Sequence, residues 1–176
     1  MMYRIVKVLN HNTFIGIRSK DKCKCLIMGK GIAFGRKVSE SISVGEDAKV
    51  YTLTELTERG SAEEIIRSVP PECLELAGEI LDHAEKVFGQ IDRSILFPMA
   101  DHLAFAVQRI RNQEQISNPL TEDIRILFHQ EYKVAKCAEQ LLRERLHVEI
   151  DEHEIGYIAL HVHAAIEDRK FPRPCS

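Results

Sequence analysis

Tyr3-Arg4-Ile5-Val6-Lys7-Val8-Leu9-Asn10-His11-Asn12-Thr13-Phe14-Ile15-Gly16-Ile17-Arg18 decides how the N-terminal third of this chain folds. Tyr3–Leu9 sets Ile5, Lys7 and Leu9 against Arg4, Val6 and Val8, the two-residue period of a strand. Asn10-His11-Asn12 marks a turn, because Asn tolerates positive φ and bonds to its own backbone. Thr13–Arg18 is a second short strand and Ser19-Lys20-Asp21 a second turn. Lys22–Met28 forms a third strand, with Cys23, Cys25 and Ile27 on one face. Gly29-Lys30-Gly31 breaks it, and Lys49–Leu53 supplies a fourth strand. Short strands joined by tight turns predict a small four-stranded antiparallel domain over residues 1–55. A lone unit of about 55 residues is marginal, so pairing with a second copy is expected to add stability.

From residue 61 the period changes to that of helices. Ser61-Ala62-Glu63-Glu64 is a capping box, and Val69-Pro70-Pro71 ends the short helix it opens. Pro71 suits a helix start, and Leu74, Ala77, Leu81, Ala84 and Phe88 recur until Gly89. Asp92–Arg111 aligns Leu96, Met99, Leu103, Ala106 and Ile110, with Pro98 early enough to kink the first turns. Asn118-Pro119 breaks the chain before Thr121–His129. Tyr132–Arg145 turns Val134, Ala138, Leu141 and Leu142 inward. The last helix starts at Asp151, with Glu154 completing a second capping pattern, and runs to Asp168 along Ile155, Ile158, Val162 and Ile166. The expected architecture is α+β as two separate domains: the all-β domain 1–55, a linker 56–60, an all-α five-helix bundle 61–170, and a tail 171–176.

Charge divides along the same line. The first 37 residues carry nine Lys or Arg and one acidic residue, Asp21. Residues 1–55 hold ten basic and five acidic side chains (+5), and residues 56–176 hold 14 and 22 (−8), which sum to the whole chain's −3. A basic head on an acidic body predicts a polyanion partner for the head and a separate task for the body. No apolar run reaches the length of a membrane span, and MMYRIVKVLN has no secretory apolar core. The five cysteines include no C-x-x-C pair. Reduced thiols in a cytoplasmic protein are the expectation, ahead of a disulfide frame or a zinc site.

Met28-Gly29-Lys30-Gly31-Ile32-Ala33-Phe34-Gly35-Arg36-Lys37 concentrates the chemistry of the head. Its glycines permit close backbone approach. Lys30, Arg36 and Lys37 offer charge to phosphates. Phe34 offers a ring on which an unpaired base can stack. Asn10 and Asn12 carry donors and acceptors suited to base edges. Each has a plainer reading: Gly-x-Gly as a turn, Phe34 as a core ring, the Asn pair as turn formers, the lysines as solvated surface. The spacing matches neither the dinucleotide fingerprint nor the phosphate-binding loop.

Lys7-Val8-Leu9-Asn10-His11-Asn12, followed by Met28-Gly29-Lys30-Gly31-Ile32-Ala33-Phe34, resembles the co-antiterminator RNA-binding domain of the BglG/SacY/LicT transcriptional antiterminators. That resemblance implies a homodimer that binds a leader-mRNA hairpin and so blocks a competing terminator. By position it implies RNA contacts at Asn10, Asn12, Gly29, Lys30 and Phe34, with Lys7 and Arg36 supporting on phosphates. Family members often have Arg where Lys30 stands, and Lys lacks the planar bidentate fork. The run Gly29–Lys37 and the ending Leu160–Glu167 lean toward the glucose-type members.

Two of the eight histidines border apolar stripes. His102 has Met99, Phe105 and Ala106 at helical neighbour positions, and His161 follows Tyr157 and Ile158. Three readings compete: half-buried structural histidines, a metal site, or phosphoryl acceptance by neutral imidazole. His161 and His163 point about 200° apart on a helix, so one ion cannot take both. Without a nucleotide site, a phosphorylated histidine here would be another enzyme's substrate, so no catalytic residue is assigned. Ala100-Asp101-His102-Leu103-Ala104-Phe105-Ala106 and Glu154-Ile155-Gly156-Tyr157-Ile158-Ala159-Leu160-His161-Val162-His163 resemble the phosphotransferase-system regulation domain of the same family. The resemblance implies phosphorylation of His102 and His161 by components of that system, enzyme II and HPr; the residue spacing itself predicts no metal site, and no cofactor is expected. Full-length members carry a second such domain. The rival class is a regulatory dimer whose basic head binds DNA or an acidic protein.

Overall fold

The computed structural model describes residues 1–54, 56–57, 60–114 and 116–167. They fall into two compact units that part between Pro71 and Glu72.

The first unit is built on strands β1 (Met2–Asn10), β2 (Thr13–Arg18), β3 (Lys24–Met28), β4 (Ser41–Ser43) and β5 (Lys49–Thr52). They form one antiparallel sheet in the order β4-β1-β2-β3-β5. The sheet is therefore five-stranded, not four-stranded. The addition is β4, a Ser-Ile-Ser edge whose one buried side chain, Ile42, gives no periodicity to read.

The alternation expected along β1 also changes phase. Register shifts between Ile5 and Lys7, so an extra residue is accommodated there. A bulge of this kind turns the following side chains to the other face. Tyr3 and Ile5 face the core, Lys7 is exposed, and Val8 packs against the core instead. Phe14, Cys25, Ile27, Ile42 and Ala33 complete that core. Gly16 sits where a Cβ would meet the Phe14 ring at 2.9 Å and the Arg4 carbonyl at 3.1 Å, so the ring lies where a side chain would be. In β3 every residue from Cys25 to Met28 is buried, so both faces of that strand are covered. Cys25, Cys73 and Cys137 are free thiols.

Strands β6 (Leu56–Thr57) and β7 (Gly60–Ser61) make a short ribbon over the expected linker 56–60 and one residue past it; part of that linker lies outside the described residues. Ser61 caps helix α1 (Ala62–Ser68), its Oγ accepting from the Glu64 N–H at 3.3 Å as the sequence pattern predicts. This helix groups with the first unit, and its Glu63 pairs with Lys24 at 3.1 Å. The tail 171–176 lies outside the described residues.

The second unit contains α2 (Pro71–Phe88), α3 (Leu96–Arg111), α4 (Thr121–Leu127), α5 (His129–Ala135), α6 (Cys137–Leu146) and α7 (Glu152–Glu167). This unit holds six α-helices among the described residues, and with α1 the range expected to be a five-helix bundle, 61–170, holds seven. One addition comes from the stretch read as Tyr132–Arg145. It divides at Lys136, whose backbone stays helical (φ −61°, ψ −22°) while its carbonyl accepts from Glu139 three residues on. A tightening to an i→i+3 bond leaves no mark on apolar spacing. Pro98 falls in the first turn of α3, after a 3-10 turn at Arg93–Ile95, where its missing N–H has no partner to lose. Leu74, Ala77, Leu81, Leu96, Met99, Leu103, Ile158 and Val162 are fully buried. Each contributes roughly 1.5–3 kcal/mol by area if large and less if alanine. Asp151 caps α7, its Oδ1 accepting from the His153 and Glu154 N–H groups. Gly156 lets the Asn118–Thr121 loop approach closely, since a Cβ there would stand 3.1 Å from Asn118 Nδ2. Among the described residues, no helix is long and apolar enough to cross a membrane.

Candidate nucleic-acid interface and histidine site

The turn between β1 and β2 and the loop after β3 are tied into one surface. Asn10 uses its Oδ1 inside the turn, accepting from the Asn12 N–H at 2.9 Å and from the Thr13 hydroxyl. Asn12 reaches across the sequence: its Oδ1 accepts from the Gly31 N–H at 2.7 Å and its carbonyl from the Gly29 N–H at 2.9 Å. The His11 carbonyl accepts from Ala33 at 2.9 Å. Three bonds thus pin residues 29–33 to residues 11–12. From Gly29 the loop coils through successive i→i+3 bonds, Ile32 to Gly29, Phe34 to Gly31 and Arg36 to Ala33. Gly31 and Gly35 hold φ of +69° and +72°, which suits residues without a Cβ.

The coil splits its apolar residues. Ala33 is buried in the sheet core, whereas Phe34 is 68% exposed. Phe34 is therefore not a core ring. It is held edge-to-face by His11, with centroids 4.9 Å apart and planes at 89°. Lys30, Arg36 and Lys37 on the same loop are exposed, Arg36 pairing with Glu40 at 3.5 Å. Such a surface pair contributes little and is readily exchanged for a phosphate. Of the predicted residues, Asn10, Asn12, Gly29, Lys30 and Phe34 share this surface. Lys7 is exposed on β1. His11 was not predicted; its place between two singled-out asparagines was the available signal. An exposed ring on a braced, basic loop can stack an unpaired base and contact phosphates beside it.

The second unit brings the two predicted histidines together. His102 on α3 and His161 on α7 have ring centroids 5.4 Å apart, and the Tyr157 ring lies 5.5 Å from His102. His102 Nε2 is 3.0 Å from Glu154 Oε2. Arg109 donates to Glu154 Oε1 at 2.6 Å. Glu154 is only 3% exposed. Burial pushes its carboxyl up, but the hydrogen bonds from His102 and Arg109 outweigh this and hold it below the ordinary range. His161 Nδ1 bonds to the Tyr157 carbonyl at 2.9 Å. His163 turns away to Glu131 at 2.8 Å and stacks on Phe128.

Sequence reading missed Glu154 and Arg109 as members of this site. Glu154 was assigned to a capping pattern, but its side chain turns inward. The missed signal is heptad spacing: Arg109 is seven residues after His102 and Glu154 seven before His161, two helical turns on the same faces.

The family profile described as CAT RNA binding domain matches residues 3–59, and the one described as PRD domain matches residues 78–165. The chain is 29% identical over 170 residues to transcription antiterminator LicT of Bacillus subtilis, covering 96% of this chain and 61% of that one. It is 31% identical over 175 residues to protein GlcT of Staphylococcus epidermidis, covering 91% and 57%. The chain thus spans about three-fifths of the length of these relatives. A crystal structure of GlcT CAT-PRDI matches with a TM-score of 0.76 at 26% identity, over 94% of this chain and 99% of that one.

Proposed function

The chain belongs to the BglG/SacY/LicT family of transcriptional antiterminators, and on that premise we propose that it binds a hairpin in a leader mRNA and so prevents termination ahead of sugar-utilisation genes. The observation that carries this reading is Phe34, 68% exposed on a loop that Asn12 braces against the β1–β2 turn. An unpaired base from a hairpin internal loop stacks on that ring. Asn10 and Asn12 hold the platform with their Oδ1 atoms, and their side chains stand at the edge where a base would lie. Gly29 lets the backbone approach the RNA. Lys30, Arg36 and Lys7 neutralise phosphates, so affinity falls steeply with salt. Two copies joined as a homodimer present a continuous surface, and the protein acts in the cytoplasm.

The helical unit regulates this activity through phosphorylation of His102 and His161 by phosphotransferase-system proteins, HPr and an enzyme II. A phosphoryl group adds a charge of roughly −1.5 to −2 at neutral pH. Two such groups across a symmetric interface between helical units repel each other and cost desolvation. This loosens pairing between helical units, and RNA affinity falls with the lost avidity.

Fluorescence anisotropy of the full chain against a labelled RNA hairpin with internal loops, and against the matching fully paired duplex, tests the proposal. Tighter, salt-sensitive binding to the looped hairpin is expected. Equal binding to both, or a preference for duplex DNA, would favour a regulatory dimer with a generic basic surface.

A further inference from the structure

We infer that Glu154 is a positioning residue that selects which ring nitrogen of His102 takes a phosphoryl group: Nδ1 on His102, in contrast to Nε2 on His161. The inference rests on the proposed role of these histidines as phosphoryl acceptors and adds the atom at which each reacts.

Glu154 faces Arg109 on Oε1 and His102 on Oε2, both within hydrogen-bond distance. The carboxyl is held ionised by those partners. A carboxylate only accepts, so the proton in the His102 contact belongs to Nε2. In the neutral ring the lone pair is then on Nδ1. His161 is set the other way. The Tyr157 carbonyl also only accepts, so His161 Nδ1 carries its proton and the lone pair is on Nε2. Two rings 5.4 Å apart therefore present opposite nitrogens as nucleophiles. The orienting group differs as well: a buried anion behind His102 and a neutral backbone dipole behind His161.

The transfer step balances without an added base. The donor is a protonated phosphohistidine on a phosphotransferase-system protein. The His102 Nδ1 lone pair forms a bond to phosphorus, and the donor N–P bond breaks, its electron pair returning to the donor ring. That ring departs as neutral imidazole. His102 becomes a phosphoimidazolium whose Nε2–H still bonds to Glu154. No proton changes hands, and the new cation lies against a carboxylate that fixes the tautomer beforehand and stabilises the charge afterwards. Arg109 keeps that carboxylate ionised and aimed. Glu154 itself never touches the phosphoryl group.

The test uses the full chain carrying 15N-labelled histidine. Long-range proton–nitrogen correlation assigns the protonated nitrogen of each ring. Potassium phosphoramidate then serves as the donor, its P–N bond breaking with loss of ammonia, and the phosphohistidine isomers are assigned by the same spectra. The wild-type chain is expected to hold His102 as the Nε2–H tautomer and to take phosphoryl at Nδ1 there and at Nε2 of His161. Glu154→Gln offers His102 either a carbonyl or an amide, so the Nδ1–H tautomer and the Nε2 isomer should appear at His102 while His161 is unchanged. A wild-type His102 protonated on Nδ1, phosphorylated on Nε2, or insensitive to Glu154→Gln would overturn the positioning role alone. The expected tautomers with no phosphoryl uptake at either histidine would overturn the acceptor reading and this inference with it. The wild-type isomer needs no variant and stands as the test if Glu154→Gln does not fold.

Discussion

His102 Nε2 and Glu154 Oε2 lie 3.0 Å apart although 52 residues separate them in sequence. The pair joins α3 to α7 through a carboxylate that is 3% exposed and also holds Arg109. Removing one member of a fully buried pair costs about 3–5 kcal/mol, and less where, as with Arg109, the charge left behind is half-buried. Glu154→Ala should therefore lower the urea midpoint strongly at pH 7. The carboxyl is held below its ordinary range in the fold. Its contribution is then complete above the unfolded value of about 4.3 and is lost as pH falls through the lower folded value. The gap between wild type and Glu154→Ala should narrow below about pH 4. A gap that stays constant with pH would mean the ion pair contributes nothing.

Phe34→Ala separates binding from folding. The ring is 68% exposed and leaves the sheet core intact when removed. Stacking contributes about 1–3 kcal/mol per base, so affinity for a looped hairpin should fall roughly 5- to 150-fold with no loss in melting temperature. Unchanged affinity in anisotropy titrations would remove Phe34 from the interface.

Lys30 should behave as a charge and not as a reader of bases. It is exposed on the pinned loop, and an ammonium lacks the bidentate fork of arginine. Lys30→Ala should weaken all looped hairpins alike and reduce the slope of log affinity against log salt by about one. A loss confined to one RNA sequence would instead assign it a base contact.

How much of this was legible depended on whether the signal was local. Thr13–Arg18 was read with its exact limits because turn residues bound it on both sides. The cap at Ser61 followed from a four-residue pattern. β4 escaped because an edge of two serines and one isoleucine has no period. The phase of β1 was misread because a bulge is set by the partner strand's register and not by the strand's own residues. His102 and His161 could be singled out, yet Glu154 passed for a capping residue: its role depends on Arg109 and His102 approaching from another helix. Asn12 shows the same limit, since its grip on Gly31 spans 19 residues.

Gly16→Ala probes the sheet core. The added Cβ would meet the fully buried Phe14 ring at 2.9 Å and the Arg4 carbonyl at 3.1 Å. Overpacking of this kind costs about 1–3 kcal/mol. A melting temperature equal to wild type would mean that the ring and β1 shift apart freely.

His102→Asp and His102→Ala differ in charge at one position, and their comparison isolates what a phosphoryl group would do there. Asp at 102 brings a second carboxylate toward Glu154, so that Arg109 faces two anions. Ala removes the ring but leaves the Arg109–Glu154 pair whole. Both lose the contact with His161, so lost ring packing cancels in the comparison. If charge loosens pairing between helical units, RNA affinity should fall by roughly tenfold or more in His102→Asp through lost avidity and stay near wild type in His102→Ala. Electrophoretic retardation of the RNA hairpin by each variant reads this directly. Equal affinities would mean that negative charge at His102 does not reach the RNA surface, and regulation would then have to act through His161.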